Sequence, residues 1–212
     1  LAFNTEYMNN PISEEDMLFN PENFKYYDGT IDTLSDKYDV ALGVDMALGK
    51  SRTKGDYSAV SVVARDKETG AIYVADSYGE RINPSEFIQK IAELVAVHQP
   101  TSIAVESVAA QEFFADELKK ELKRRGYPAE QRVKKIYSRT RKELRIESML
   151  PNIENGTIQF TRRHALLLEQ FEGYGQGSAD DLPDSLHMAI SALVDTQISV
   201  STVRRNDRWS TS

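Results

Sequence analysis

Asp45, Glu106, Asp181 and Asp184 are the residues best placed to do chemistry in this chain. Asp45 closes the run Tyr38-Asp39-Val40-Ala41-Leu42-Gly43-Val44-Asp45, and Glu106 closes Thr101-Ser102-Ile103-Ala104-Val105-Glu106. Both runs are apolar and β-branched, the composition of buried strands, so each acid sits at a strand end. Asp181 and Asp184 lie in Ser178-Ala179-Asp180-Asp181-Leu182-Pro183-Asp184-Ser185-Leu186-His187 at the start of a helix. A spacing of three puts them on one helical face. Carboxylates brought together repel and raise one another's pKa unless cations neutralise them. Hard oxygen ligands of this kind suit Mg²⁺ or Mn²⁺. The combination points to metal-assisted phosphodiester hydrolysis.

Each acid also has an ordinary reading. Asp is common at strand ends, which would account for Asp45. A Glu directly after Ile-Ala-Val is costly unless paired or metal-bound, so Glu106 is harder to explain away. Asp181 also fits an N-cap, with Asp184 as the acid of a capping box, and the helix dipole favours acids there. Capping does not account for Asp180, crowded beside them after a glycine-rich loop and held here in reserve as a ligand.

The elements that must position these acids follow from periodicity. Strands are expected over 40–47, 57–64 and 71–78, the last two joined through Glu68-Thr69-Gly70, a tight-turn signal. Asn83-Pro84-Ser85-Glu86 opens a helix whose apolar positions Phe87, Ile88, Ile91, Leu94 and Val95 keep helical spacing. A buried strand to Val105, a helix over 109–125, a strand over 133–137 and a helix over 140–150 come next. A strand over 157–160, a helix over 165–172, a glycine loop over 173–177 and a final helix over 182–199 complete the order. The expected fold is α/β: a mixed sheet, three antiparallel strands and then parallel ones, with helices on both faces. Residues 1–37 lack sustained periodicity and read as a linker or peripheral arm, 38–200 as the folded body, and 201–212 as a tail.

Composition sets the outer limits. With 212 residues, 40% of them hydrophobic, the chain can bury one sizeable core. It has no cysteine, which rules out disulfides and thiolate zinc sites and fits a reducing compartment. No apolar run approaches a membrane span and no signal peptide is evident, so the chain reads as neither membrane-bound nor secreted. Beginning at Leu1, it reads as an excised fragment or processed product.

The net charge of −7 is unevenly distributed. Between Lys119 and Arg145 twelve Lys/Arg residues face three acids, a local balance of +9, leaving −16 elsewhere. A basic surface beside an acidic site suits a DNA-cutting domain, although a solvated helix face and a charged loop also explain such a run. Lys134, Arg139, Arg141 and Lys142 are the candidates for phosphate contacts. Lys50 and Arg52 join them at an expected hairpin tip, with Asp56 and His187 as possible supports of the metal ligands. Gly43-Val44-Asp45-Met46-Ala47-Leu48-Gly49-Lys50-Ser51 imitates a phosphate-binding loop but has five residues between its glycines instead of four. It also leads toward a strand rather than a helix, which excludes the usual phosphate cradle. With one tryptophan and scattered tyrosines, no stacking platform for single strands is evident.

The series strand-Asp, antiparallel strands, strand-Glu and late helix with Asp resembles the ribonuclease H-like nucleases. More narrowly, Asp180-Asp181-Leu182-Pro183-Asp184-Ser185-Leu186 is similar to the Asp-Asp-Leu-x-Asp-Ala-Leu signature of phage terminase large subunits. Arg145-Ile146-Glu147-Ser148-Met149-Leu150-Pro151, Glu154 to Phe160, and Gly55-Asp56-Tyr57-Ser58-Ala59-Val60 also resemble segments of that family. Phe3 to Pro11 looks like the end of its packaging ATPase domain and the linker beyond. Ala179 stands where that family often has histidine, and Pro183 and Ser185 replace its usual aliphatic residue and alanine.

The resemblance implies the C-terminal nuclease domain of a terminase large subunit, cutting concatemeric double-stranded viral DNA in the host cytoplasm. It implies two divalent ions, Mg²⁺ or Mn²⁺, bridged by Asp45 with Glu106 and Asp181 completing their shells and Asp184 as a further ligand. It also implies the portal protein, the small terminase subunit and an ATPase domain of the same chain as partners. Rival readings are a Holliday-junction resolvase of the same superfamily, or a non-catalytic DNA-binding or scaffold domain in which the acids are caps and salt-bridge partners.

Overall fold

A computed structural model describes residues 17–47, 57–107 and 112–206. Among these residues, seven strands form one sheet in the order β1-β7-β4-β3-β2-β5-β6. They are β1 (Lys25–Tyr26), β2 (Tyr38–Asp45), β3 (Ser58–Asp66), β4 (Ile72–Glu80), β5 (Ser102–Glu106), β6 (Val133–Ile136) and β7 (Ile158–Phe160). The helices are α1 (Pro84–His98), α2 (Glu112–Arg124), α3 (Ala129–Arg132), α4 (Lys142–Glu147), α5 (Leu150–Glu154), α6 (Ala165–Glu172) and α7 (Asp181–Asn206). The β2–β3 and β3–β4 pairs are antiparallel, whereas β2–β5, β5–β6, β4–β7 and β1–β7 are parallel. This is the mixed ribonuclease H-like sheet that the element order predicts. The next described element after β2 is its antiparallel neighbour β3, whereas a phosphate-binding loop stands between a strand and a helix.

Strand alternation separates two cores. Val40, Leu42 and Val44 of β2 and Ile103 and Val105 of β5 pack with Phe87 and Ile91 of α1 and Leu118 of α2. Ala41 and Ala104 face the other side, with Ile146, Phe171, Leu186 and Ala189. Both faces are therefore covered by helices. α1 starts as its sequence indicates, with Asn83 and Glu86 forming a reciprocal capping box and Pro84 in the first turn.

Three details differ from the sequence reading. The segment expected as one helix over 140–150 is broken into α4 and α5, with Pro151 in the first turn of α5. Proline lacks an amide donor and crowds the preceding turn, so it starts a helix more readily than it continues one. Second, α7 begins at Asp181, one residue earlier than expected. Third, the described part of the 1–37 segment contributes to the core. Phe19 and Phe24 are buried, and their rings lie 4.9 Å from Phe171 and 4.7 Å from Phe160. Just beyond them, β1 pairs with β7. Two isolated aromatics around a 3-10 turn and a two-residue strand carry no period for a sequence pattern to detect.

Candidate active site

The acids meet because of strand direction and side-chain parity. β2 and β5 run parallel with Val44 opposite Val105, so Asp45 and Glu106 emerge from the same edge of the sheet. Asp45 shares the parity of Ala41 and Gly43, and Glu106 that of Ala104, so both acids turn toward the face covered by α7. Gly43 then sets the depth of that helix. A Cβ at this position would stand 2.0 Å from the Ser185 carbonyl oxygen and 2.4 Å from the Ala189 amide nitrogen. The helix thus lies directly on strand backbone, and Ser185 Oγ reaches Ser61 Oγ at 2.7 Å. This close approach carries Asp181 and Asp184 down to the strand ends.

Two cations from α4 enter the cluster. Lys142 Nζ lies 2.9 Å from Asp180 Oδ1, 2.9 Å from Asp181 Oδ1 and 3.4 Å from Asp45 Oδ2. One turn on, Arg145 donates from Nε to Asp184 Oδ1 at 3.0 Å and from Nη2 to Asp184 Oδ2, a two-point clamp. The same Nη2 donates to Glu106 Oε1 at 3.2 Å, and Nη1 donates to the Thr140 carbonyl. Asp184 is fully buried and Arg145 nearly so. The cluster thus divides into Asp45, Asp180 and Asp181 around Lys142, and Glu106 and Asp184 around Arg145.

The hydrogen bonds at the start of α7 bear on the capping alternative. Asp181 Oδ2 accepts from the Tyr57 amide at 2.9 Å, and its other oxygen faces Lys142. The Leu182 amide is met by the Gln170 side chain, and the Asp184 amide by the Asp180 carbonyl. Asp181 is thereby tied to the start of β3 and to α4 as well as to its own helix.

Among the described residues, five carboxylates and two cations in one cluster leave an excess of negative charge. The Asp45 carboxyl is pushed up to about 7, chiefly by burial; Lys142 opposes the shift, and Asp184, Asp181 and Glu106 add to it. Burial works against the Lys142 charge, but Asp45, Asp180 and Asp181 outweigh it and raise its pKa. Burial likewise opposes the Arg145 charge and is outweighed by Asp184 and Glu106. Asp45, Glu106 and Asp184 each offer one oxygen, all within 4.8 Å of one another. Hard oxygens at that separation, with a carboxylate short of neutralisation, fit a divalent cation.

The remaining predicted residues scatter. Lys134 is half-buried on β6, and Arg139 and Arg141 are exposed in the loop that carries the chain from β6 to α4, beside the Arg145–Thr140 bond. Lys142, expected at the surface as a phosphate contact, instead directs its ammonium into the acids, because α4 begins at the rim where they converge. His187 is buried at Nδ1, which has no partner among the described residues. Burial lowers its pKa, with Asp184 pulling upward and Arg145 downward. Lys50, Arg52 and Asp56 lie outside the described residues.

Several cations of the +9 stretch are paired with acids, as on a solvated helix face. Lys120 pairs with Glu117, Arg124 and Arg125 with Glu121, and Lys135 with Asp116. Arg145 is the residue that sequence reasoning missed as a site member. Its signal was the spacing of three from Lys142, which sets both cations on one helical face.

An acidic rim at the carboxyl ends of β2 and β5, crossed by a late helix, defines a ribonuclease H-like domain. The family model described as Terminase Bacteriophage T7, Ribonuclease H-like domain matches residues 49–157, and the chain belongs to that family. The matched region includes Glu106, Lys142 and Arg145, while Asp45 and the Asp180–Asp184 segment flank it.

Solved structures share the fold. The large terminase nuclease from the thermophilic phage G20c with bound magnesium is 20% identical, with a TM-score of 0.55 over 82% of this chain and 96% of that one. The large terminase nuclease domain of bacteriophage SPP1 with bound Mn is 15% identical, with a TM-score of 0.55 over 82% and 98%. The large terminase of the thermophilic bacteriophage D6E is 10% identical, with a TM-score of 0.53 over 84% of this chain but 44% of its own. No curated protein matches the chain in sequence at a significant level. No helix among the described residues is long and apolar enough to cross a membrane.

Proposed function

We propose that this chain is the nuclease part of a terminase large subunit and cuts double-stranded viral DNA during genome packaging with the help of divalent cations. The convergence of Asp45, Glu106, Asp181 and Asp184 at one edge of a ribonuclease H-like sheet carries this reading. Asp45, Glu106 and Asp181 would hold the ions. Asp184 contributes through whatever capacity its Arg145 clamp leaves, and Asp180 stands in reserve. Two bound Mg²⁺ or Mn²⁺ ions would supply an activated water and charge stabilisation at the leaving 3′ oxygen.

The chain's own residues do the rest. Gly43 and the Ser61–Ser185 bond hold the acids in register, and Arg145 neutralises and orients Asp184 and Glu106. Arg139 and Arg141, exposed in the loop before α4, and Lys134 on β6 suit the phosphate backbone, giving grip without sequence choice. An ATPase domain of the same chain, the portal protein and the small terminase subunit are the partners this role calls for, in the cytoplasm of the infected host.

Plasmid cleavage in Mn²⁺, Mg²⁺ or chelator, comparing wild type with Asp45→Asn and Asp181→Asn, tests the proposal. The expected outcome is nicking by wild type with either ion, none in chelator, and none by the folded variants. Equal cutting by folded Asp45→Asn and Asp181→Asn would overturn the site.

A further inference from the structure

Lys142 and Arg145 occupy the same face of α4 but are held in different ways. Arg145 is 9% exposed at its side chain and gripped at two points by a fully buried carboxylate. Lys142 is the first residue of α4, its side chain is 28% exposed, and its ammonium meets three carboxylates by single contacts of 2.9, 2.9 and 3.4 Å. An ammonium on a flexible four-carbon stem can swing out of such a position without unpacking the core. The position itself lies between Asp45, at the end of β2, and Asp181, at the start of α7.

Building on the nuclease reading, we infer that Lys142 competes with a divalent ion for the cation position between Asp45 and Asp181, so metal loading there requires its ammonium to leave. Two positive charges cannot share that gap without strong repulsion. Lys142 engages Asp45 Oδ2 and Asp181 Oδ1, and the other Asp181 oxygen already accepts from the Tyr57 amide. Arg139 and Arg141 are exposed in the loop that leads into Lys142. A phosphodiester backbone lying on them offers the same ammonium another anion, so arrival of DNA favours loading of the ion. The chain would then be least able to cut when no DNA is bound.

Calorimetric titration of Mn²⁺ into wild type, Lys142→Met and Lys142→Arg tests the inference, with melting temperatures in chelator and in Mn²⁺. Lys142→Met should bind Mn²⁺ at least about tenfold more tightly, the scale on which groups around a metal site tune affinity. It should also melt lower in chelator and gain more from Mn²⁺, while Lys142→Arg stays close to wild type. Unchanged or weaker Mn²⁺ binding by folded Lys142→Met would overturn the competition.

If that variant fails to fold, Mg²⁺ titration of wild type labelled with ¹⁵N at the lysine ammonium groups decides the matter. The Lys142 signal should shift as the ion binds, and a signal unmoved at saturation defeats the inference. A wild type that neither binds Mn²⁺ nor nicks plasmid would defeat the nuclease reading instead.

Discussion

Gly43 and Ser185 touch backbone to backbone: the Ser185 carbonyl oxygen lies 2.0 Å from where a Cβ on Gly43 would be. The glycine is needed for proximity. Changing it to alanine forces α7 off β2, because the obstruction is main chain and cannot rotate away. Gly43→Ala should cost about 1–3 kcal/mol or more in chemical denaturation, the range of overpacked cores. It should also reduce nicking by shifting Asp181 and Asp184 relative to Asp45. A variant with wild-type stability and activity would show that the helix does not need this close approach.

The Asp45 carboxyl should make metal-free stability depend on pH in a defined direction. Its folded pKa is raised to about 7 by burial first, against Lys142 and with the neighbouring acids. Below about pH 4, the ordinary range of the group, it is protonated in folded and unfolded chains alike. Between there and pH 7 the unfolded chain has lost the proton while the folded one keeps it, so stability falls as pH rises, by a few kcal/mol in total. Denaturation in chelator should show that slope, and Asp45→Asn should flatten it and be the more stable protein at pH 8. Mn²⁺ binding to wild type should tighten across the same interval, because the ion competes with the proton.

Arg145 predicts a different penalty. Replacing it with leucine leaves Asp184 buried without its counter-charge, a change that costs about 3–5 kcal/mol in comparable buried pairs. Lysine cannot reproduce the two-point clamp and should recover little of the loss. Denaturation of Arg145→Leu, Asp184→Asn and the double variant measures the coupling. Additive losses would mean the pair is not energetically linked.

Arg139 and Arg141 should act on DNA alone. Alanine at both should leave stability unchanged and weaken duplex binding to a similar extent on unrelated sequences. The salt slope should fall by about 1 for each phosphate that the protein no longer neutralises. Binding measured over a salt series checks this. An unaltered slope would remove the loop from the DNA surface.

Most of the sheet was legible because it obeys local rules. Apolar β-branched runs ending in acids read as strands, and Asn83, Pro84 and Glu86 form the cap their order predicts. What escaped were elements too short to carry a period. β1 spans two residues, and Phe19 and Phe24 enter the core from a segment without alternation. Composition gives the charge of the +9 stretch but not its pairing, and several of these cations are held by acids a turn away. Gly43 stood in plain view inside a false phosphate-loop motif, with its purpose invisible until α7 lay across it.

By itself, the sequence determined which residues carry charge at strand and helix ends, because hydrophobic period and terminal chemistry are local properties. It thereby named Asp45, Glu106, Asp181 and Asp184 as residues meant to meet. Tertiary structure decided how they meet. Parallel pairing of β2 with β5 put two acids on one edge, and the bare backbone of Gly43 brought α7 within reach. It also supplied what no spacing between the acids could reveal. Lys142 and Arg145, from a helix far from all four acids in the chain, divide the cluster between them, because buried carboxylates keep their charge only with cations beside them.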